Sequence, residues 1–346
     1  MRITRRWTVA TAVALSAVLT LTACGSSSAE PAGSAGSDRS ITVYNAQHEE
    51  LTQAWADAFT RESGVKVVLR NGDDSELGNQ IVQEGAASPA DVFLTENSPA
   101  MSLVDNAKLL APVDQATLEQ VPSGYRPSSG NWTGIAARST VFAYNPSELP
   151  EAQLPKSLLD LADPAWKGRW AASPSGADFQ AIVSALLALK GKEATADWLA
   201  AMKQNFVAYK GNSTVMKAVN AGEIPAGVIY HYYWFGDQAE TKENSKNTKL
   251  HYFKNADPGA FVSVSGGGVL ASSKAAADAQ AFLAFVTGKG GQDILRTGSS
   301  FEYPVASGVA ANPALVPLRE LKAPRVDPSQ LNSTEVTDLM TGAGLL

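Results

Sequence analysis

The 346-residue chain carries 34 acidic against 28 basic side chains, a formal charge of −6, and a single cysteine. An acidic chain argues against nucleic acid as a partner, because phosphate binding needs a basic face. One cysteine excludes an internal disulfide, so the stability of the fold has to come from a packed core.

The chain opens with Arg2, Arg5 and Arg6, runs uncharged and apolar from Trp7 to Leu21, and reaches Leu21-Thr22-Ala23-Cys24. That pattern predicts a secretory signal over residues 1–23, too short for a membrane-spanning helix, which needs about 20 apolar residues. Leu-Thr-Ala-Cys resembles a bacterial lipobox, so Cys24 is expected to become the acylated first residue of an extracytoplasmic protein anchored to the cell membrane. The Arg5-Arg6 pair leaves Sec and twin-arginine export both open. Loss of the three arginines takes the formal charge from −6 to −9, which favours a cationic ligand. Residues 24–40, rich in Gly, Ser and Ala, predict a flexible tether. About 300 residues follow, enough for two lobes of ordinary size.

Ile41–Tyr44 is β-prone, and Leu51, Trp55 and Phe59 then recur every fourth residue, predicting a helix that Gly64 ends. A strand over Val65–Leu69, a helix carrying Leu77 and Ile81, and a strand over Asp91–Leu94 complete a βαβαβ unit. Such alternation predicts a mostly parallel sheet with ligands beyond the carboxyl ends of its strands. The pattern restarts with helices over Asp178–Leu189, Ala194–Met202 and Ser213–Asn220 and a strand over Ala226–Ile229. Two β-rich segments, Ser139–Tyr144 and Phe261–Ser265, lie between the halves as candidate hinge strands. The expected fold is therefore α/β and bilobal, of the periplasmic-binding-protein type (class II), with two α/β lobes joined by hinge strands. The expected lobes are residues 41–138 plus 263–313 and residues 139–262 plus 314–346, closing on a ligand as such proteins do. Gly266-Gly267-Gly268 reads equally as a tight loop or a mobile hinge.

No hydrolase nucleophile motif, P-loop, dinucleotide fingerprint or zinc-protease helix is present, which disfavours an enzyme. Three scattered histidines and no cysteine ligand disfavour a zinc or copper site. Tyr230-His231-Tyr232-Tyr233-Trp234 follows a predicted buried strand, where a cleft is expected; on its own it suits an aromatic wall as well as a metal site. His48 follows the first strand and Glu96 the third, at the same edge. An ordinary tyrosine has a pKa of about 10, so ionising one at pH 7 costs about 4 kcal/mol, and only a strong, hard Lewis acid offsets that twice. Two phenolates and Glu96 balance Fe³⁺, with neutral His48 as a fourth ligand. Ser175-Gly176-Ala177, before a predicted helix, is placed either to receive an anion or simply to cap, and Asn212 stands at the start of the next.

Together these residues resemble the bacterial ferric-ion-binding proteins of ABC iron importers. The likeness is carried by Tyr44-Asn45-Ala46-Gln47-His48-Glu49-Glu50, Ser88-Pro89-Ala90-Asp91-Val92-Phe93 with Thr95-Glu96, Tyr232-Tyr233-Trp234, Ser175-Gly176-Ala177, Asp257-Pro258-Gly259-Ala260 and Glu302-Tyr303-Pro304. The resemblance implies His48, Glu96, Tyr232 and Tyr233 as iron ligands. It implies Ser175, Gly176, Ala177 and Asn212, with Arg138 beside them, as holders of a synergistic anion such as phosphate, carbonate or citrate. Tyr230, His231 and Asn97 depart from the family pattern and are expected to remove amide donors from that anion site. The implied function is a monomeric solute-binding lipoprotein that carries Fe³⁺ to an ABC permease and its ATPase, touching the membrane only through its anchor. The alternative on the same fold is a binder of a thiamine-like or polyamine cation held by cation–π contacts. An adhesion or signalling module is the more distant alternative.

Overall fold

Strand β1 (Ser40–Asn45) is the first element in the computed structural model, which describes residues 39–346. The predicted signal, Cys24 and the predicted tether up to residue 38 lie outside the described residues, and Ser40, expected to end that tether, is instead the first residue of β1 and pairs with Lys66. Helix α1 (Glu49–Ser63) buries Leu51, Trp55 and Phe59 on one face. Gly64 ends it in the left-handed region at φ 72°, its N–H bonding the Thr60 carbonyl, a conformation that a Cβ would strain. Strand β2 (Lys66–Asn71), helix α2 (Asp74–Glu84) with Leu77 and Ile81 buried, and strand β3 (Val92–Leu94) follow. Both β2 and β3 pair with β1 in parallel, giving the βαβαβ unit that the apolar spacing predicts. Helices α3 (Ser98–Asn106) and α4 (Gln115–Gln120) complete this part of the chain.

Strand β4 (Trp132–Tyr144) is longer than expected: all 13 of its residues are buried. Alternating faces do not show in a sequence when both faces are covered, and its Thr, Arg and Ser residues break the apolar run. The second α/β run contains β5 (Trp170–Ala172), α5 (Ala177–Lys190), α6 (Lys192–Met202), β6 (Phe206–Ala208), α7 (Asn212–Ala221), β7 (Ala226–Tyr230), α8 (His231–Glu240) and β8 (Lys249–His251). Strand β9 (Val262–Val269), α9 (Ala276–Thr287), α10 (Lys289–Thr297), α11 (Leu318–Leu321) and α12 (Ser333–Gly342) close the chain.

The strand order is β2-β1-β3-β9-β4-β7-β5-β6, with β8 also on β4. Strand β4 changes partner along its length, from β9 over Trp132–Ser139 to β7 over Thr140–Tyr144. Apolar packing follows the same division. One cluster gathers Val43, Trp55, Phe59, Phe282 and Leu283 around β1, α1 and α9, and another gathers Trp170, Phe179, Ile182, Trp198 and Tyr230 around β5, β7, α5 and α6.

The glycine triplet is not a loop. Gly266, Gly267 and Gly268 sit inside β9, paired with β4 on one side and β3 on the other. A Cβ on Gly267 would come within 2.7 Å of Leu283 and 2.9 Å of Ile135, and one on Gly266 within 3.1 Å of Thr95 and Trp132, so close packing accounts for the glycines. Among the described residues no helix is long and apolar enough to cross a membrane.

Candidate metal centre

The turn from β1 into α1 is fixed by Asn45, whose side-chain amide donates to the Gln47 carbonyl, Thr52 Oγ1 and Asn71 Oδ1, each at 2.9 Å. His48 emerges from this turn with its own N–H donated to Gln47 Oε1 at 2.7 Å. Beyond β3 the chain turns around a carboxylate: Asp74 accepts the backbone N–H groups of Glu96 and Asn97, both at 2.9 Å. Burial raises the pKa of Asp74 to about 7, against the lowering effect of those bonds and of Arg138. Asp74 thus sets the direction of Glu96.

The tyrosines do not continue strand β7, as their position after it suggests. They occupy the first turn of α8, where consecutive residues splay by about 100°, and both hydroxyls still reach one carboxylate. Tyr232 and Tyr233 lie 3.3 and 3.2 Å from Asp178 Oδ2, on the first turn of α5. Their rings stack at 4.2 Å between centroids, and the His48 ring meets Tyr232 edge-on at 4.9 Å. Tyr232 also lies 3.4 Å from Glu96 Oε1, which is 3.3 Å from His48 Nε2. That nitrogen makes no hydrogen bond among the described residues. The structure therefore brings His48, Glu96, Tyr232 and Tyr233 together from three chain segments and adds Asp178 from a fourth.

The site is enclosed on one side and open on the other. Asp178 and Tyr232 are buried, whereas the His48 and Glu96 side chains keep 31% and 21% of their surface, although His48 Nε2 itself is covered. Burial, then the charge of Asp178, pushes both phenols up, and burial pushes the Glu96 carboxyl well up against the pull of Arg138. Burial pulls His48 down, which leaves a neutral imidazole with a lone pair to offer. Without a strong positive charge bound between them, the two phenols hold their protons.

Ser175, Gly176, Ala177 and Asn212, expected to hold an anion, lie at the starts of α5 and α7. Gly176 caps α5 and Ala177 begins it, so both lead directly into Asp178. The Asn212 amide donates to Asp178 Oδ2 at 2.8 Å and the Asn97 amide to Asp178 Oδ1 at 3.0 Å. Asn97 therefore supplies an amide to the site rather than removing one. The Ser175 carbonyl accepts from the Gln180 side chain at 3.3 Å on the exposed side of α5. Arg138 is fully buried and bound to Glu302, Ser265 and Gln47, with Nη1 3.6 Å from Glu96 Oε1. Burial opposes its charge, but Glu302 and then Glu96 outweigh that and hold its pKa well up.

His231 is structural. Its Nδ1 accepts the Ser139 N–H at 3.2 Å, which leaves Nε2 to donate to the Phe301 carbonyl at 2.8 Å, and burial pushes its pKa down to about 3. His251 bonds the Pro155 carbonyl in the same way at 3.0 Å. Asp178 and Asp74 escape a reading by motif, and Gln47 and Glu302 stand in segments that carry the family likeness without being among the site residues it implies. An acidic residue on a first helical turn reads as a response to the helix dipole, and only Asp178's place after Ser175-Gly176-Ala177 gives a signal.

A sequence profile of the bacterial extracellular solute-binding proteins matches residues 87–328. The chain is 70% identical over 315 residues to the Fe(3+)-binding periplasmic protein of Serratia marcescens, covering 91% of this chain and 93% of that one. It superposes on iron-bound HitA from Pseudomonas aeruginosa with a TM-score of 0.83 at 42% identity, covering 89% of this chain and all (100%) of the other. It also superposes on a Trichodesmium protein (IdiA, FutA) in complex with iron and citrate, with a TM-score of 0.78 at 27% identity, covering 89% and 100% of the two chains. These are proteins that bind a solute rather than enzymes that transform one. The chain belongs to the bacterial extracellular solute-binding protein family and, within it, to the periplasmic ferric-iron-binding proteins.

Proposed function

We propose that the protein captures ferric iron between His48, Glu96, Asp178, Tyr232 and Tyr233 and delivers it, outside the cytoplasm, to an ABC importer. The observation that carries this reading is the convergence of two phenols, two carboxylates and a free imidazole nitrogen within hydrogen-bonding range of one another. Hard anionic oxygens suit a trivalent cation, and the family relatives named above are iron binders. An organic cation needs free aromatic faces. Here Tyr232 and Tyr233 stack on each other, and the Arg138 guanidinium already lies 5.4 Å from the Tyr232 ring.

Asp178 changes the charge count. With two phenolates and Glu96 it brings the donors to four negative charges, one more than Fe³⁺ requires, so its carboxylate takes the part of an external anion. Asn97, Asn212 and the start of α5 then serve to orient that carboxylate. Phosphate, carbonate or citrate is left to an open coordination position or to the incoming chelate.

The proposed lobes are residues 41–138 plus 263–313, which bear His48 and Glu96, and residues 139–262 plus 314–346, which bear Asp178 and both tyrosines. The partner change along β4 and the pairing of β4 with β9 support them as hinge strands. Closure then assembles the donor set, and opening at the permease releases the metal as the phenolates regain protons. An acylated Cys24, outside the described residues, would tether the protein to the cell membrane; labelling with a radioactive fatty acid in wild type and Cys24→Ala tests it.

Titration with ferric nitrilotriacetate tests the metal reading. Wild type should develop a visible phenolate-to-iron absorption at one equivalent, and Tyr232→Phe/Tyr233→Phe should lose both the band and at least about 1,000-fold in affinity. A double variant that keeps its colour removes the tyrosines from the site.

A further inference from the structure

We infer that Glu302 is a positioning residue for the metal centre: it holds the Arg138 guanidinium so that this buried cation does not claim Glu96. The inference rests on the reading of Glu96 as a donor to iron. Arg138 and Glu302 are both fully buried (0% each) and paired through Nη2 and Oε1. Their surroundings fix the pair. Ser265 Oγ accepts from Arg138 Nη2 at 2.8 Å, and the Gln47 amide donates to Ser265 Oγ at 3.0 Å and to Glu302 Oε1 at 3.3 Å. The other end of the same glutamine accepts the His48 N–H, so one network ties the ion pair to the backbone of a metal donor.

Three atoms of the pair make no hydrogen bond among the described residues, Arg138 Nε, Arg138 Nη1 and Glu302 Oε2, and the last two lie near donors. Arg138 Nη1 has no hydrogen bond and lies 3.6 Å from Glu96 Oε1; Glu302 Oε2 has none and lies 3.9 Å from His48 Nε2. The guanidinium thus has one carboxylate in its grasp and a second just outside it. A charge-assisted pair closes to about 2.8 Å, less than an ångström from where Nη1 already stands relative to Glu96. A buried guanidinium cannot shed its proton, so it takes whichever carboxylate is charged and in reach. In Glu302→Gln that carboxylate is Glu96, and an oxygen clamped to Arg138 offers less electron density to a metal.

A merely structural Glu302 would stabilise the fold and leave the metal centre of every folded molecule as it was. Wild type, Glu302→Gln and the Arg138→Met/Glu302→Gln double variant separate the two. Each is loaded with ferric nitrilotriacetate and stripped with graded citrate, with the charge-transfer band followed throughout. We expect Glu302→Gln to lose iron about tenfold more readily, with a shifted band as Glu96 withdraws, and the double variant to recover about half of that loss or more on a logarithmic scale, because Met cannot pair with Glu96. A Glu302→Gln protein as retentive as wild type overturns the inference, and so does a loss that the double variant does not recover. Should Glu302→Gln not fold, Glu302→Asp, which keeps the charge but withdraws it by one methylene, must show a smaller loss in the same direction, and no loss overturns the inference. A wild type without any band fails the ferric reading itself, which none of the variant outcomes resembles.

Discussion

The two sides of the metal centre are built on different principles. His48 and Glu96 stand on turns at the carboxyl ends of parallel strands, partly open to solvent and aimed by side chains behind them: Gln47 for His48, Asp74 for Glu96. Asp178, Tyr232 and Tyr233 stand on the first turns of two helices, largely enclosed, and hold one another. The first side is aimed before metal arrives. The second carries protons that must leave, since burial and the charge of Asp178 hold both phenols well above the ordinary tyrosine range. Entry from the open side and charge matching on the enclosed side are thus divided between the two halves of the chain.

Acid should break the enclosed side first, and by the largest factor. In the metal-free protein the phenols keep their protons throughout the physiological range, so each ferric ion displaces two phenolic protons on binding. Affinity then rises with pH and falls as pH drops, by up to about 100-fold per unit. Iron retention measured against a competing chelator between pH 5 and 8 gives the slope. A slope near zero would mean that the phenols are not ligands.

Asp178→Ala sharpens the contrast. It removes a carboxylate but leaves two amides and the start of α5 around the space, a setting suited to an inorganic anion. Binding in anion-free buffer should weaken about 100-fold, and added phosphate should restore part of it. Glu96→Ala, on the open side, should weaken binding without responding to phosphate. Equal phosphate responses in the two variants would erase the distinction.

This asymmetry also decides what a sequence can disclose. Leu51, Trp55 and Phe59 mark α1 by spacing, the apolar strands mark the βαβαβ unit, and donors that directly follow a strand, such as His48 and Glu96, can be read from their place in that pattern. Tyr232 and Tyr233 announce themselves as adjacent tyrosines. Asp178 does not, because its role depends on the hydroxyls of α8, brought to it only by the pairing of β7 with β5. Arg138 and Glu302 meet through the pairing of Ala137 with Tyr303, a contact between distant segments that no local pattern records. Gly266-Gly267-Gly268 is ambiguous for the opposite reason: a local signal that suits a loop or a hinge stands where Leu283, Ile135 and Trp132 leave little room for a Cβ.

A smaller effect is expected on the supporting shell of the open side. Asp74→Asn can accept one of the two N–H groups that aim Glu96 but presents an amide donor to the other. Iron affinity should drop about tenfold and stability by about 1–3 kcal/mol, the cost of an unsatisfied buried group. Calorimetry on the metal-free and loaded forms separates the two effects. Full affinity in Asp74→Asn would show that Glu96 is aimed by the metal rather than by Asp74.

The smallest effect on iron should come from His231, which adjoins the tyrosines in sequence yet bonds away from them, to Ser139 and Phe301. Its effect should appear in stability. Burial puts its folded pKa at about 3, whereas the unfolded value is about 6.5. Between these values the unfolded chain binds a proton that the folded chain refuses, so acidification favours unfolding by about 1.4 kcal/mol per pH unit; above pH 6.5 both states are neutral and the penalty vanishes. Stability from this residue is therefore present at neutral pH and is lost as pH falls from about 6.5 towards 3. His231→Gln, whose amide can still donate to the Phe301 carbonyl, removes the titration and should flatten that part of the profile while iron affinity at pH 7 stays within about threefold of wild type. Urea unfolding of the metal-free protein at several pH values tests this. An unchanged acid slope would mean that the imidazole is protonated in the fold, and a large loss of iron would move His231 from the scaffold into the site.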